Sequence, residues 1–448
     1  MAVPPETFER LAAADAAGRL QLVRQLISEH PEGLLELPGA HDGAGAMLNG
    51  VDLAGASLPA AKLRSASLRS ANLERADLKA ADLRNAKLGA AKMDGAMLEE
   101  SDLQNADLIS ASLRGASLGG ANLKGALLED ADLRQARMRF AVLQGAFLEN
   151  TKLERADLWG ANLAGAVLSR ADLRGVILTE ANLEGADLTD ADLRDARLDK
   201  ANLKGVKLDG ADLRGAATPH VNLREAVLRN AKLQGLDLST SDVTAAHVSG
   251  AWLERTRLRR GQVGGAIGEE LAGQYDEAGN GYLALERNFL DLGDADAASW
   301  AYRKRRRMQK LTALRMARLR RGQGHTRAAL PFYVKYARFQ FVEWLCDYGE
   351  SAARVLLAIA AVYVLFTLLY LATGSVLHLG RGATAYTPTR NPLDVAAFSL
   401  SVMTTVGTLD GELRPRSEWV SLLAGIQALL GIGLTGLLGF VIGNRIRR

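Results

Sequence analysis

From Leu48 to Leu258 a large apolar residue recurs at every fifth position. Of the 43 positions reached by stepping in fives, 38 are Leu. Met93, Met138, Val243 and Val248 are apolar replacements, and Thr218, beside Pro219, is a break. An Ala usually stands two residues earlier, with Asp or Asn often between, as in Ala71-Asn72-Leu73 and Ala131-Asp132-Leu133. A period of five matches neither a helix, at about 3.6, nor a flat strand, at about 2.0. Two apolar positions at fixed offset predict a square coil with one side per repeat, Ala and Leu facing inward and three positions facing water. Ala suits a narrow axis on which four walls converge and where rings do not fit.

On either side the pattern changes. Residues 5–29 read as an amphipathic helix with Phe8, Leu11, Leu20, Val23, Leu26 and Ile27 on its apolar face, stopped by Pro31 and Pro38. A stack of coils exposes unpaired edges at its ends, so this helix is expected to cap the N-terminal end. After Gly261, Gly264 and Gly265 the period of five is lost. Residues 267–291 read as helix, Gly293 and Asp294 as a turn, and a second helix runs to about residue 321, making a helical hairpin. Further on, Val355–Thr373 and Trp419–Val441 carry no Asp, Glu, Lys or Arg. At about 1.5 Å per residue each is long enough to cross a bilayer. The expected organisation is an N-terminal helical cap over 1–45, the repeats over 46–260, a helical neck and juxtamembrane region over 261–349, and a membrane domain over 350–448.

Composition divides the chain in the same way. Residues 46–260 hold four aromatics, Phe140, Phe147, Trp159 and Trp252, whereas residues 275–448 hold nineteen. The formal charge is only +4, but Tyr302–Arg338 contains thirteen Lys or Arg and no Asp or Glu. Its densest part, Arg303, Lys304, Arg305, Arg306 and Arg307, precedes the first uncharged stretch. That position suits the cytoplasmic side of a membrane, where anionic lipids attract positive charge. No recognition module accompanies the run, so nucleic acid is not an expected partner. Phe332, Tyr333, Tyr336, Phe339, Phe341, Trp344 and Tyr348 then read as an interfacial aromatic belt. One cysteine, Cys346, excludes an intrachain disulfide framework. Glu6, Glu9, Arg10 and Asp15 leave no apolar core for a cleaved secretory signal, so the first 300 residues are expected in the cytoplasm. His325 and His378 are isolated and Cys346 has no His in its sequence context. No catalytic constellation, metal site or cofactor motif is recognised, and an enzyme is not expected.

The A-(D/N)-L-x-x pattern over 46–260 resembles the pentapeptide-repeat family, which implies a right-handed quadrilateral β-helix. At four repeats per turn, 43 repeats make roughly 11 coils and a rod of about 50 Å. Some members mimic DNA and protect topoisomerases, a role that needs an acidic rod. Here 30 Lys or Arg face 29 Asp or Glu, so a solvated rod that spaces or docks other parts is the stronger reading.

Between the two uncharged stretches, Asn391-Pro392 marks a helix start. The following Leu393–Met403 is too short to cross a bilayer and reads as re-entrant. It leads into Thr404-Thr405-Val406-Gly407-Thr408-Leu409-Asp410. The order of span, short helix, T-T-V-G loop and span, over residues 350–448, resembles the two-transmembrane potassium-channel pore domain. The resemblance implies an all-α membrane domain with a re-entrant pore helix, a four-subunit pathway and a selectivity filter at 404–410. Backbone carbonyls of Thr405, Val406 and Gly407 would replace an ion's hydration shell. Asp410 and Glu412 would form acidic rings at the outer mouth. The sequence departs from the family's T-V-G-Y-G-D at Thr408 and Leu409, so the monovalent cation, K+ or Na+, is not specified. Glycines crowd the second span, and Gly431 and Gly433 are candidates for a gating hinge, close helix packing being the alternative. Basic residues flanking the start of the first span and the end of the second predict both termini in the cytoplasm.

These readings combine in a homotetrameric cation channel of the cell membrane, with repeat rods that sense or dock an unknown cytoplasmic partner. The alternative is a non-conducting, membrane-anchored scaffold.

Overall fold

The structure is a computed structural model that describes Gln21, Gln25 and residues 48–380, 385–405 and 413–446. Apart from Gln21 and Gln25, both helical, the expected N-terminal cap with its helix over 5–29 lies outside the described residues. The chain divides into two compact units, the first ending at Arg305 and the second running from Arg306.

In the first unit each five-residue repeat makes one side of a four-sided coil. Parallel bridges join the residue between the Ala and Leu positions of nearly every repeat to its counterpart twenty positions on, as in Asp52 with Asn72 and Asn72 with Lys92. Leu73 and Ala71 are fully buried, and the same holds for nearly every Leu and Ala of the register. The corners are turns closed by an Ala N–H donating to the Leu carbonyl three residues back, as in Ala56 to Leu53 at 3.0 Å. The last corner residue has positive φ in repeat after repeat, 65° at Gly55 and 56° at Arg75. Gly, Asn and Asp are frequent there because they tolerate this conformation.

The recurring Asp or Asn has a structural use. Its side-chain oxygen accepts the backbone N–H two residues on, as in Asp82 to Arg84 at 3.2 Å and Asn72 to Glu74 at 3.2 Å, and so pre-forms the corner. Where Arg follows two places later it also grips the carboxylate through two nitrogens, at 2.8 and 2.5 Å for Arg84 on Asp82. This guanidinium bond outweighs burial and holds the Asp82 carboxyl below the usual range. Thr218 keeps its place in the buried column, its hydroxyl donating to the Asp237 carbonyl at 2.9 Å. The coil therefore passes through the break.

The C-terminal edge of the stack is closed by α1 (Arg260–Val263), α2 (Gly268–Leu271) and α3 (Tyr275–Asp291). Gln262 Nε2 donates to the carbonyls of Leu238 and Ser241 at 2.5 and 2.7 Å. Glu269 accepts the Ser249 N–H at 2.7 Å. Asn288 accepts the Thr256 N–H at 3.1 Å and donates to its carbonyl at 2.9 Å. Open coil edges are satisfied by side chains from a helical plug. The sequence places a change of architecture near residue 261, but helices after that point still belong to the repeat unit, which continues to Arg305.

Helix α4 (Ala295–Gly322) follows, then α5 (Thr326–Cys346), α6 (Ala352–Thr373), α7 (Pro392–Thr404) and α8 (Glu418–Ile446). Of the hairpin read from the sequence, the second helix is α4, while the first, expected over 267–291, is split into α2 and α3 on either side of residues 272–274. Helices α6 and α8 are long and apolar enough to cross a membrane. Three short strands, β1 (Val376–His378), β2 (Thr387–Thr389) and β3 (Leu413–Pro415), form an antiparallel sheet in the order β2-β1-β3, so the region expected to be all-α also carries a small sheet between its helices. In the second unit Phe366 and Tyr370 of α6, Val395 and Phe398 of α7 and Val420 of α8 share one buried cluster with Val376 and Leu413 of the sheet.

Candidate functional site

The segment carrying the expected filter is held by α7. Asn391 caps this helix, its side chain accepting the Leu393 N–H at 3.2 Å, and Pro392 occupies the first turn. Because β2 and β3 both pair with β1, the chain leaves that sheet into α7 and comes back to it at Leu413. At thirteen residues, α7 is about 20 Å long, too short to match α6 or α8.

Its far end meets α8 near that helix's middle. A Cβ added at Gly431 would lie 2.2 Å from the Met403 carbonyl oxygen, so only glycine permits this approach. At Gly433 a Cβ would meet nothing within 4 Å. Of the two hinge candidates, Gly431 is therefore a packing residue in this structure, and α8 runs without interruption through both.

Thr404 and Thr405 are exposed at the C-terminal end of α7, where the helix dipole concentrates partial negative charge. Thr405 takes a left-handed conformation, with φ of 56°. For a β-branched residue this is strained by about 1–3 kcal/mol, a cost typical of functional turns. Val406, Gly407, Thr408, Leu409, Asp410 and Glu412 lie outside the described residues.

Behind α7 sits a polar network that the sequence reading missed. Gln427 of α8, Ser399 of α7 and Tyr370 of α6 are all fully buried. Gln427 Nε2 donates to the Ser399 carbonyl and hydroxyl at 3.0 and 2.8 Å, and the Tyr370 hydroxyl donates to Gln427 Oε1 at 3.1 Å. A Gln inside an otherwise apolar stretch was the available signal. His378, isolated in sequence, has Nδ1 3.7 Å from Asp394 Oδ2, and that oxygen accepts a hydrogen bond from the Thr389 hydroxyl at 3.1 Å.

The basic run is engaged within the protein. In the first unit Lys304 holds both oxygens of Glu270 at 3.0 Å, and Arg305 bonds Glu286 at 2.9 Å. In the second, Arg306 stacks over Phe339 at 5.3 Å, Arg307 bonds Glu343 at 2.9 Å, and Lys310 bonds the same carboxylate. Burial alone would raise Glu343, but Lys310, Tyr348 and Arg307 outweigh it and hold the carboxyl below its ordinary range. Arg303 also has a partner. Exposed cations lie further along, at Arg318, Arg320, Arg321, Arg327, Lys335 and Arg338.

Comparison with known proteins bears on the first unit. The family model for pentapeptide repeats matches residues 46–85, 81–120, 116–155, 152–190, 177–215 and 222–260. No curated protein matches the chain. Among solved structures, HetL, a pentapeptide repeat protein involved in heterocyst differentiation regulation from the cyanobacterium Nostoc sp. strain PCC 7120, is 30% identical. That alignment covers 51% of this chain and 95% of HetL, with a TM-score of 0.32. Rfr23 from the cyanobacterium Cyanothece 51142 is 38% identical over 19% of this chain and 57% of its own, with a TM-score of 0.18. Full-length QnrB1, a plasmid-mediated fluoroquinolone resistance protein, is 19% identical over 40% of this chain and 90% of its own, with a TM-score of 0.23. With its five-residue register, its twenty-residue coils and the family match over most of the same residues, the chain belongs to the pentapeptide-repeat family.

Proposed function

We propose that the chain is one subunit of a homotetrameric cation channel of the cell membrane. In this reading α6 and α8 span the bilayer, α7 is a pore helix, residues 404–410 form the filter, and Asp410 and Glu412 ring the outer mouth. Both termini are cytoplasmic, and the pentapeptide-repeat unit serves as a docking or sensing element for a cytoplasmic partner.

One observation carries the reading: a half-length helix that starts from and returns to the same small sheet while packed between two longer apolar helices. Such a re-entrant element is tolerated at membrane depth where it is buried in protein or lines a water-filled path. The exposed end of α7 then directs carbonyl dipoles toward a cation pathway. One chain supplies one loop, and the resemblance to the potassium-channel pore domain implies four copies. The departures at Thr408 and Leu409 remodel the outer part of the filter, so the reading is a channel for monovalent cations rather than a strictly potassium-selective one.

The test is unitary current from purified protein in planar bilayers, with K+ and Na+ in turn under voltage, tension and pH change, alongside the oligomeric mass in detergent. A tetramer with cation currents supports the proposal. A tetramer silent under every condition leaves the membrane-anchored scaffold, and a monomer or dimer overturns the pore.

A further inference from the structure

Helix α5 presents two different faces. One is turned toward α4: Phe339 lies under Arg306, and Glu343 receives Arg307 and Lys310. The other carries Leu330, Val334, Ala337, Phe341 and Trp344, spaced four, three, four and three residues apart. That spacing places them in a single stripe. All five are exposed, with Leu330 at 63%, Val334 at 60%, Phe341 at 58% and Trp344 at 67%. A contiguous apolar stripe of this length marks a contact surface.

We propose that α5 lies in the plane of an anionic membrane surface, with this stripe sunk into the boundary between headgroups and acyl chains. The sequence suggested an aromatic belt using every ring from Phe332 to Tyr348. The structure divides those rings, Phe339 and Tyr348 packing edge to face inside the protein while Phe341 and Trp344 face out.

Two observations select lipid over a second copy of the helix. The first is charge. Arg327, Lys335 and Arg338 are exposed on α5, and its one acid, Glu343, is taken up by α4. Copies brought together along the stripe would set like charges side by side, whereas an anionic leaflet complements them. The second is continuity. Only residues 347–351 separate α5 from α6, and the chain turns there through left-handed Asp347 and Tyr348, with φ of 48° and 61°. Just past the corner, α6 exposes Leu356 at 52% and Leu357 at 70%. The apolar surface of α5 thus runs into that of the span, and Trp344 sits at the junction, where amphipathic rings favour the interface.

The proposal rests on α6 being a membrane span but not on conduction. Full-length protein carrying Cys346→Ser, which removes the single cysteine, would receive one nitroxide label at a time through V334C, F341C, K335C or L357C. It would be reconstituted in phosphatidylcholine vesicles with and without phosphatidylglycerol. Labels at 334 and 341 should relax preferentially with oxygen and the label at 335 with a water-soluble nickel chelate, and the contrast should grow with phosphatidylglycerol. Chelate access at 334 and 341, or strong dipolar broadening between subunits there, overturns the proposal, the latter in favour of self-association. A label at 357 that favours the chelate shows instead that the spanning reading has failed. A cysteine-independent measurement guards against misfolding of the labelled variants. Brominated phosphatidylglycerol should quench native tryptophan fluorescence, and W344F should remove a large part of that quenching; equal quenching in both overturns the proposal.

Discussion

Gln427 Nε2 donates to the Ser399 carbonyl at 3.0 Å, joining the long apolar helix α8 to the short helix α7. The same side chain accepts from Tyr370 of α6. One amide therefore ties α6, α7 and α8 together where the surroundings are otherwise apolar. Replacing it with Leu takes the acceptor from the buried Tyr370 hydroxyl and a donor from Ser399, which costs about 1–2 kcal/mol. Gln427→Leu is expected to lower the melting temperature in detergent clearly, and Tyr370→Phe, which removes one bond, to lower it less. Equal melting of Q427L and the parent protein would rule out a structural role for the network.

Gly431 and Gly433 separate packing from bending. Gly431→Ala drives a methyl into the Met403 carbonyl, whereas Gly433→Ala adds one in open space. The first should destabilise the seating of α7 by about 1–3 kcal/mol, as overpacking does. The second should leave stability unchanged or slightly improved, since Ala favours a helix over Gly by about 1 kcal/mol. Parallel melting curves decide this, and the prediction fails if the two variants behave alike.

Asn288 closes the end of the repeat stack by bonding both backbone groups of buried Thr256. Asn288→Ala leaves the Thr256 carbonyl without a partner and its N–H with the Leu253 carbonyl alone, at about 1–2 kcal/mol. The expected result is a lower urea midpoint and faster proteolysis near residue 256. An unchanged cleavage pattern would contradict its role as a plug.

The pairing of α4 with α5 should depend on pH. The Glu343 carboxyl is held below the usual carboxylate range by Lys310, Tyr348 and Arg307 against the effect of burial. Its stabilising contribution is therefore present above the unfolded-state value and is lost as pH falls through the folded-state value. Melting of the parent protein should exceed that of Glu343→Gln at neutral pH, and the two should converge in acid. A gap that stays constant with pH would refute this.

The repeat unit was legible because its signal is local and redundant. A Leu column with 38 of 43 positions kept leaves one geometry that buries every column member. The caps of α7 were legible for the same reason, since Asn391 and Pro392 act within one turn of themselves. The plug formed by Gln262, Glu269 and Asn288 was not, because each bonds backbone 20 to 32 residues away. The Arg and Lys run was misleading on its own: charge says how strongly a segment attracts anions, not whether Glu270, Glu286 and Glu343 already supply them.

By itself the sequence determined a five-residue coil, two uncharged stretches of spanning length and a capped short helix, all properties of neighbouring residues. Only the tertiary structure decided that Gly431 is there for Met403, that Gln427 answers Ser399 and Tyr370, and that α5 keeps one apolar face outward. Those outcomes depend on atoms far apart in the chain coming within a few ångströms of each other, and no local pattern encodes that distance.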